Sequence, residues 1–135
     1  MRPDRPASLA LILLVAAAVA LGLWTVGGPM QGRAEARDET RYRDLLALQR
    51  QVRCLADAAG GRLPGTLEET QSCHIAERYA DPYTGAPYRY ERLSESGYRL
   101  CAGFETARSG DFTTGTEVKF DAEAGCLVIS HPPRD

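Results

Sequence analysis

The strongest hydrophobic signal in the chain is an uninterrupted apolar stretch at residues 9–26, where no position carries a charge. A helix over these residues, lengthened by residues 6–8, is about long enough to cross a hydrocarbon layer about 30 Å thick. Trp24 lies near its end, where an aromatic side chain suits the membrane interface. The pattern therefore predicts a transmembrane anchor that follows a short head at residues 1–8.

A cleaved signal peptide is the alternative interpretation of this stretch. Ala18 and Ala20 have the small-residue spacing of a cleavage site, and they follow a basic start. Cleavage after Ala20 would leave Leu21 and Trp24 in a new apolar N-terminus, whereas an uncleaved helix buries both side chains in the membrane. The anchor is therefore the favoured interpretation.

The charges that flank the apolar stretch bear on its orientation. Arg2 and Arg5 precede it within a short head, whereas the arginines that follow it are diluted by acidic residues at positions 35, 38 and 39. This arrangement favours a cytoplasmic N-terminus and a C-terminal domain on the far side of the membrane, in a single-pass protein. All four cysteines then lie in an oxidising compartment, where an even number favours two disulfides.

Beyond the anchor, apolar residues repeat at alternating spacings of three and four, which is typical of an amphipathic helix. These residues are Leu45, Leu48, Val52, Leu55 and Ala59. The pattern predicts a helix of about 25 residues that starts at residue 34 and ends before Gly60 and Gly61. Two glycines and a proline at residues 27–29 interrupt helix formation, so we expect a short neck at residues 27–33.

The second half of the chain changes to alternating apolar and polar positions, which is typical of strands. This pattern predicts four strands, at residues 88–93, 98–104, 117–121 and 127–130. Residues 81–87 contain two prolines and a glycine, which favour turns and extended backbone before the first strand. The expected fold class is α+β, with one external domain at residues 34–131 and a flexible tail at residues 132–135.

Strand alternation also suggests how the four cysteines pair. Cys101 and Cys126 each alternate with apolar residues, so both point away from the apolar face of the sheet. They can therefore bond across two strands on the outer face, which leaves Cys54 on the helix to bond Cys73 in the following loop. Four cysteines allow three pairings, and this is the favoured one.

The centre of the chain resembles a known family. After the helix come a loop with Leu63 and Pro64, the sequence DPYTGAPYRY at residues 81–90, and YRL at residues 98–100. This order is similar to the periplasmic part of type II secretion major pseudopilins and related type IV pilin-like proteins, over about residues 41–104. The resemblance implies an amphipathic helix laid on a small antiparallel sheet, and a non-enzymatic role in contact with other proteins of an envelope or secretion machine. It also implies an anchor in a bacterial inner membrane and a periplasmic location of the C-terminal domain.

The N-terminus departs from the pattern of that family. Pilins and pseudopilins carry a processing motif with a glycine before the apolar helix and a glutamate within it. Here no glycine directly precedes residues 9–26 and no acidic residue interrupts them. The resemblance therefore predicts the fold of the external domain and does not extend to processing or filament assembly.

The candidate contact surfaces are the strand at residues 88–93 and the polar loop at residues 109–115. Their candidate binding residues are Tyr88, Tyr90, Asp111 and Phe112. Major pseudopilins hold calcium in a C-terminal loop, but residues 109–115 offer only one carboxylate, so we expect a solvated loop and no metal. A second hypothesis is a membrane-tethered binding module that holds a small ligand or an envelope polymer in a tyrosine-lined pocket.

Composition and spacing argue against several other functions. The net charge of −2 and the isoelectric point of about 5.7 give no basic surface for nucleic acid. No two cysteines have the CxxC spacing of a thiol redox site or a zinc knuckle. His74 lies beside Cys73 but has no clear supporting acid for nucleophilic chemistry. We therefore expect no catalytic residues and no cofactor.

Overall fold

The computed structural model describes residues 5–107 and 118–130, and the side chains of residues 6–107 and 118–130. The fold class is α+β, as predicted: two helices are followed by four strands that form a small open antiparallel sheet. The elements are α1 (Arg5–Thr25), α2 (Pro29–Ala58), β1 (Arg89–Arg92), β2 (Gly97–Cys101), β3 (Val118–Asp121) and β4 (Cys126–Ser130).

The chain divides into two compact units, Met1–Ala34 and Glu35–Asp135. In the first unit, the apolar side chains of α1 are exposed, including Trp24 with 87% of its surface accessible. Among the described residues, one helix near the N-terminus is long and apolar enough to cross a membrane. A membrane would cover these apolar side chains, whose exposure to water is unfavourable.

The predicted neck is shorter than expected. Only residues 26–28 lie outside helix between α1 and α2, so the prediction of a neck at residues 27–33 is wrong for its second part. Pro29 is the first residue of α2, where a missing N–H and a fixed φ suit the first helical turn. Gly27 has a φ of 70°, which a residue with a side chain rarely adopts.

In the second unit, α2 packs one face against the sheet. Leu45, Leu48 and Val52 are fully buried, as the sequence pattern predicts. Their partners in the core include the fully buried residues Tyr98, Leu100, Leu127 and Ile129 of β2 and β4. The helix ends at two glycines with positive φ, and Gly61 N–H donates to Ala56 O at 2.8 Å. This is the glycine-terminated helix end expected from the sequence.

The strand order in the sheet is β1-β2-β4-β3, with every pair antiparallel. All four predicted strands are present with shifted ends: β1 and β2 end earlier than predicted, and β2 and β4 each begin one residue earlier. The predicted start of the third strand at Glu117 lies outside the described residues. Leu93 N–H donates to Gly97 O at 2.8 Å and closes the first hairpin. The outer strands of the sheet are therefore β1 and β3.

The two disulfides coincide with the favoured pairing. Cys101 and Cys126 lie directly opposite each other on β2 and β4, with Cα atoms 4.1 Å apart. Cys54 of α2 bonds Cys73, with Cα atoms 5.8 Å apart. The expectation that Cys101 and Cys126 lie on an outer face needs correction, because they are 4% and 2% exposed. That side of the sheet is covered at the disulfide.

Candidate functional site

Two tyrosines attach β1 to the rest of the domain. Tyr88 is 8% exposed, and its hydroxyl donates to Asp44 Oδ2 of α2 at 2.8 Å. The Tyr90 hydroxyl donates to Pro64 O at 2.8 Å, and its ring centroid lies 5.6 Å from that of Tyr98. Both tyrosines that were predicted as contact residues therefore pack within the domain. They hold β1 in place, whereas the other side chains of β1 are exposed.

Electrostatics keep Tyr88 in its donating form. Burial raises the pKa of the Tyr88 hydroxyl, and the hydrogen bond to the Asp44 carboxylate raises it further. The phenol is therefore protonated at all physiological pH values. Asp44 also accepts from Arg78 Nη1 at 3.3 Å, so one carboxylate joins the helix both to β1 and to the preceding loop.

The other two predicted binding residues, Asp111 and Phe112, lie outside the described residues. The same holds for the predicted contact loop at residues 109–115. Its use as a contact surface stays a prediction.

A buried guanidinium lies close to the turn that leads into β1. Arg41 of α2 is 1% exposed, and it forms ion pairs with Asp38, Asp81 and Glu105, each at 2.7 Å. We call these four residues the arginine cluster. Glu105 is also paired with Arg37, one turn earlier on the helix. The cluster therefore joins α2 to two segments that are distant in sequence.

Asp38 fixes the segment that follows β2. Its carboxylate accepts from the main-chain N–H groups of Glu105, at 2.9 Å, and Thr106, at 2.7 Å. The Thr106 hydroxyl donates to it at 2.6 Å. This buried carboxylate thus accepts several hydrogen bonds, which offset the cost of burying its charge.

The charges of the cluster are mutually stabilised. Hydrogen bonds from Arg37 and Arg41 lower the pKa of Glu105 to about 2. Burial by itself raises the pKa of Asp38, but hydrogen bonds from Thr106 and Glu105 outweigh it and the net pKa is lowered. Burial lowers the pKa of Arg41, whereas hydrogen bonds to its three carboxylate partners raise it above the ordinary value. All four groups are therefore charged at neutral pH.

Asp81 connects the cluster to the turn before β1. Its Oδ1 accepts from Tyr83 N–H at 2.8 Å, while its Oδ2 accepts from Arg41. The turn closes with Gly85 N–H donating to Asp81 O at 2.8 Å, and Gly85 has a φ of 73°. The Tyr83 ring lies over the guanidinium, 5.6 Å from Cζ to the ring centroid. The turn predicted from its prolines and glycine is therefore held to the helix by charge.

The outward groups of β1 form the candidate contact site. Arg89, Glu91 and Arg92 are exposed, and Glu91 pairs with Arg99 of β2 at 2.6 Å. Neither Arg89 nor Arg92 has an ion pair within the described part of the chain. Arg89 borders a groove of about 600 Å³ on the side of Asp81 and Cys101, and Arg92 borders a second groove, also of about 600 Å³. The edge of the sheet is thus basic at both ends of β1.

The described residues offer no obvious reactive centre. They contain no group of three or more histidine, cysteine, aspartate or glutamate side chains placed to hold a metal ion. The three carboxylates that do converge surround a guanidinium. All four cysteines are in disulfides, so the chain holds no thiol nucleophile in this state. The geometry is that of an exposed strand edge beside a turn that a buried ion-pair cluster holds to α2.

Several of these residues had no predicted role. From the sequence, Arg41 counts only as one of the arginines that follow the anchor, and Asp81 only as part of a predicted turn. A usable signal existed, because Asp38 and Arg41 lie on the same helical stripe as Leu45 and Leu48. Charged residues on an apolar stripe indicate a buried ion pair.

A scan against known protein families and searches of curated proteins and of solved structures return no match.

Proposed function

We propose that this chain is a membrane-anchored, pilin-like component or accessory of a type II secretion system or a related envelope machine. Its role is to contact other proteins, without catalysis. The observation that supports this most is the order of parts: one exposed apolar helix, then a helix packed by its apolar face on a small antiparallel sheet. The absent processing motif makes it a tethered domain in this proposal, and filament assembly is not part of its role.

The proposed topology has the head in the cytoplasm and the domain in the periplasm of a bacterial cell, with α1 in the inner membrane. Two disulfides favour this orientation, because such bonds persist in oxidising compartments. They also suit a small domain, since a bridge that closes a loop of this size contributes about 3 kcal/mol in the loop-entropy account.

In-cell photo-crosslinking on the full-length chain tests the proposal. A photoreactive residue at Arg89, on the exposed β1 edge, is expected to capture a discrete envelope protein identified by mass spectrometry. The same residue at Arg50, exposed on α2, serves as the matched control and is expected to capture less of it.

Other results of the same experiment contradict the proposal. Recovery of the chain in the soluble fraction would exclude the anchor, and cysteines that react with an alkylating reagent without prior reduction would exclude the periplasmic location. Equal capture from Arg89 and Arg50 would exclude β1 as the contact surface.

A second candidate function is a tethered module that binds a small ligand or an envelope polymer. The observation that favours it is the groove of about 600 Å³ beside Asp81, Tyr88 and Arg89. Within the described part of the chain, Tyr88 is the only tyrosine that lines this groove. A thermal-shift screen on the full-length protein tests this candidate, and a ligand that raises the melting temperature of wild type but not of Arg89→Gln would support it.

A further inference from the structure

The outer edge of β1 exposes main-chain groups in a regular pattern. Leu93 N–H bonds Gly97 in the hairpin, whereas Tyr88 N–H bonds Tyr79 O at 3.0 Å on the opposite side of the strand. Main-chain groups point alternately to the two sides of a strand, so those of Tyr90 and Arg92 face away from β2. Among the described residues, nothing bonds these outward N–H and C=O groups.

One end of this edge already has a strand-like neighbour. Ala80 forms an isolated antiparallel bridge with Pro87, next to the bond between Tyr88 and Tyr79. An added strand would therefore continue a line of pairing that residues 79–80 begin. Exposed edges of this kind bind extended peptides, because the main chain of the peptide completes the ladder.

A second copy of β1 fits this edge poorly. Antiparallel self-pairing centred on Glu91 or on Arg92 would place like charges directly opposite each other, which is destabilising. Pairing centred on Tyr90 would need the N–H of Tyr88, which is already bonded to Tyr79. The edge therefore disfavours a strand of its own sequence.

The charge around the edge selects a different occupant. Arg89 and Arg92 lie on opposite faces of the strand because they are an odd number of residues apart. Arg62 and Glu95 border the same groove as Arg92. Within the described residues, Arg62, Arg89 and Arg92 have no carboxylate partner, while Glu91 is paired with Arg99. Acidic side chains on either face of an added strand would thus meet arginine.

We propose that β1 accepts an extended acidic segment of a partner protein as a fifth strand of the sheet. The main chain of Tyr90 and Arg92 supplies the ladder bonds, and Arg62, Arg89 and Arg92 select acidic side chains. This inference rests on the proposed function in one respect, namely that the partner is a protein.

A peptide titration tests the proposal on the full-length protein in a non-ionic detergent. The probe is the peptide Thr-Glu-Val-Glu-Thr-Glu-Val-amide with fluorescein attached to its N-terminal amine, and binding is followed by fluorescence anisotropy. Wild type is expected to bind it, and a peptide with lysine in place of glutamate is expected not to bind. Arg92→Gln is expected to weaken binding about threefold, as for an exposed charge pair. Arg50→Gln, on exposed α2, is expected to leave it unchanged.

Main-chain recognition is tested separately from charge. Arg92→Pro removes an outward N–H without removing a bond to β2, so it is expected to weaken binding about tenfold more than Arg92→Gln. Circular dichroism verifies that both variants fold. Two further probes carry N-methyl groups on one or the other set of alternate residues, and only the set that faces β1 is expected to abolish binding.

Two outcomes overturn strand addition. One is equal binding of both N-methylated probes, which would mean attraction by charge alone, and the other is no binding of the acidic probe to wild type. Neither outcome depends on membrane fractionation or in-cell capture, so failure here is distinguishable from failure of the proposed function. Arg92→Gln with unchanged affinity would overturn the role of arginine in selection.

Discussion

The buried face of α2 has an apolar part and an ionic part, and the two hold the helix in different ways. Leu45, Leu48 and Val52 meet the sheet through non-directional packing, which tolerates small shifts. Asp38 and Arg41, one to two turns earlier, meet two loop segments through bonds of fixed geometry. The apolar part attaches the helix, and the ionic part sets where the flanking segments lie.

The energetics of the two parts differ as much as their geometry. Burial of a leucine contributes about 2 kcal/mol through removal of apolar surface from water. A buried ion pair contributes little net stability, because desolvation offsets the attraction between the charges. Loss of one partner is nevertheless costly, since it leaves the other charges buried and unpaired. The arginine cluster therefore contributes more to the position of the turn before β1 than to the total stability.

The largest expected effect is that of Arg41→Ala. It leaves Asp38 and Asp81 buried without their common cation, so we expect a loss of about 4 kcal/mol in the free energy of unfolding. The measurement is urea unfolding of the full-length protein in detergent, followed by the near-ultraviolet circular dichroism of the tyrosines.

The matched control for this variant is Arg43→Ala. Arg43 is two residues away on the same helix, and its side chain is 75% exposed and paired with Glu39 at 3.2 Å. We expect a loss of less than about 0.5 kcal/mol, as for other exposed pairs. Similar losses in the two variants would contradict the view that burial decides the cost.

Acid should weaken the ionic part and leave the apolar part intact. The pKa of Glu105 is lowered to about 2, chiefly by the hydrogen bond from Arg37, and the pKa values of Asp38 and Asp81 are also lowered. Carboxylates with a depressed folded-state pKa contribute stability above their unfolded values of about 4, and lose it as pH falls through the folded values. Stability should therefore decline between about pH 5 and about pH 2.

Two variants test whether the arginine cluster causes this pH dependence. The measurement is the urea midpoint of each variant across the same pH range. Arg41→Ala should flatten the decline, because Asp81 and Glu105 lose a partner that depresses their pKa values. Leu48→Ala should lower stability by about 3 kcal/mol at every pH and keep the slope of wild type. An unchanged slope in Arg41→Ala would show that carboxylates elsewhere control the acid response.

The apolar part of the molecule was predictable from sequence, because it depends on local periodicity. Spacings of three and four mark Leu45, Leu48 and Val52, and alternation marks Leu127 and Ile129, so the helix and the strands follow from short stretches of chain. The cysteine pairing was only favoured among three, and the outer-face position that favoured it was wrong. Strand ends were less accurate, since pairing partners decide where a ladder stops.

The ionic part was not predictable to the same degree. The helical stripe could have marked Asp38 and Arg41 as buried, but their partners Asp81 and Glu105 lie 40 to 67 residues away. No local pattern reports which carboxylate a loop brings to a guanidinium. The open edge of β1 could not be predicted for the same reason, because it depends on the strand order and not on the residues of β1 alone.

The smallest expected effect concerns Tyr88, whose ring lies in the apolar core while its hydroxyl bonds Asp44 of α2. Tyr88→Phe keeps the packing and removes one hydrogen bond, so we expect a loss of about 1 kcal/mol in urea unfolding. Tyr83→Phe is the control, since its exposed hydroxyl makes only a 3.2 Å bond to Thr40, and a loss below about 0.5 kcal/mol is expected. Asp44 retains Arg78 in the Tyr88 variant, which limits the cost. A loss above about 3 kcal/mol in the free energy of unfolding of Tyr88→Phe would contradict this expectation. It would mean that the bond from the hydroxyl to the Asp44 carboxylate holds β1 as firmly as the arginine cluster holds the turn before it.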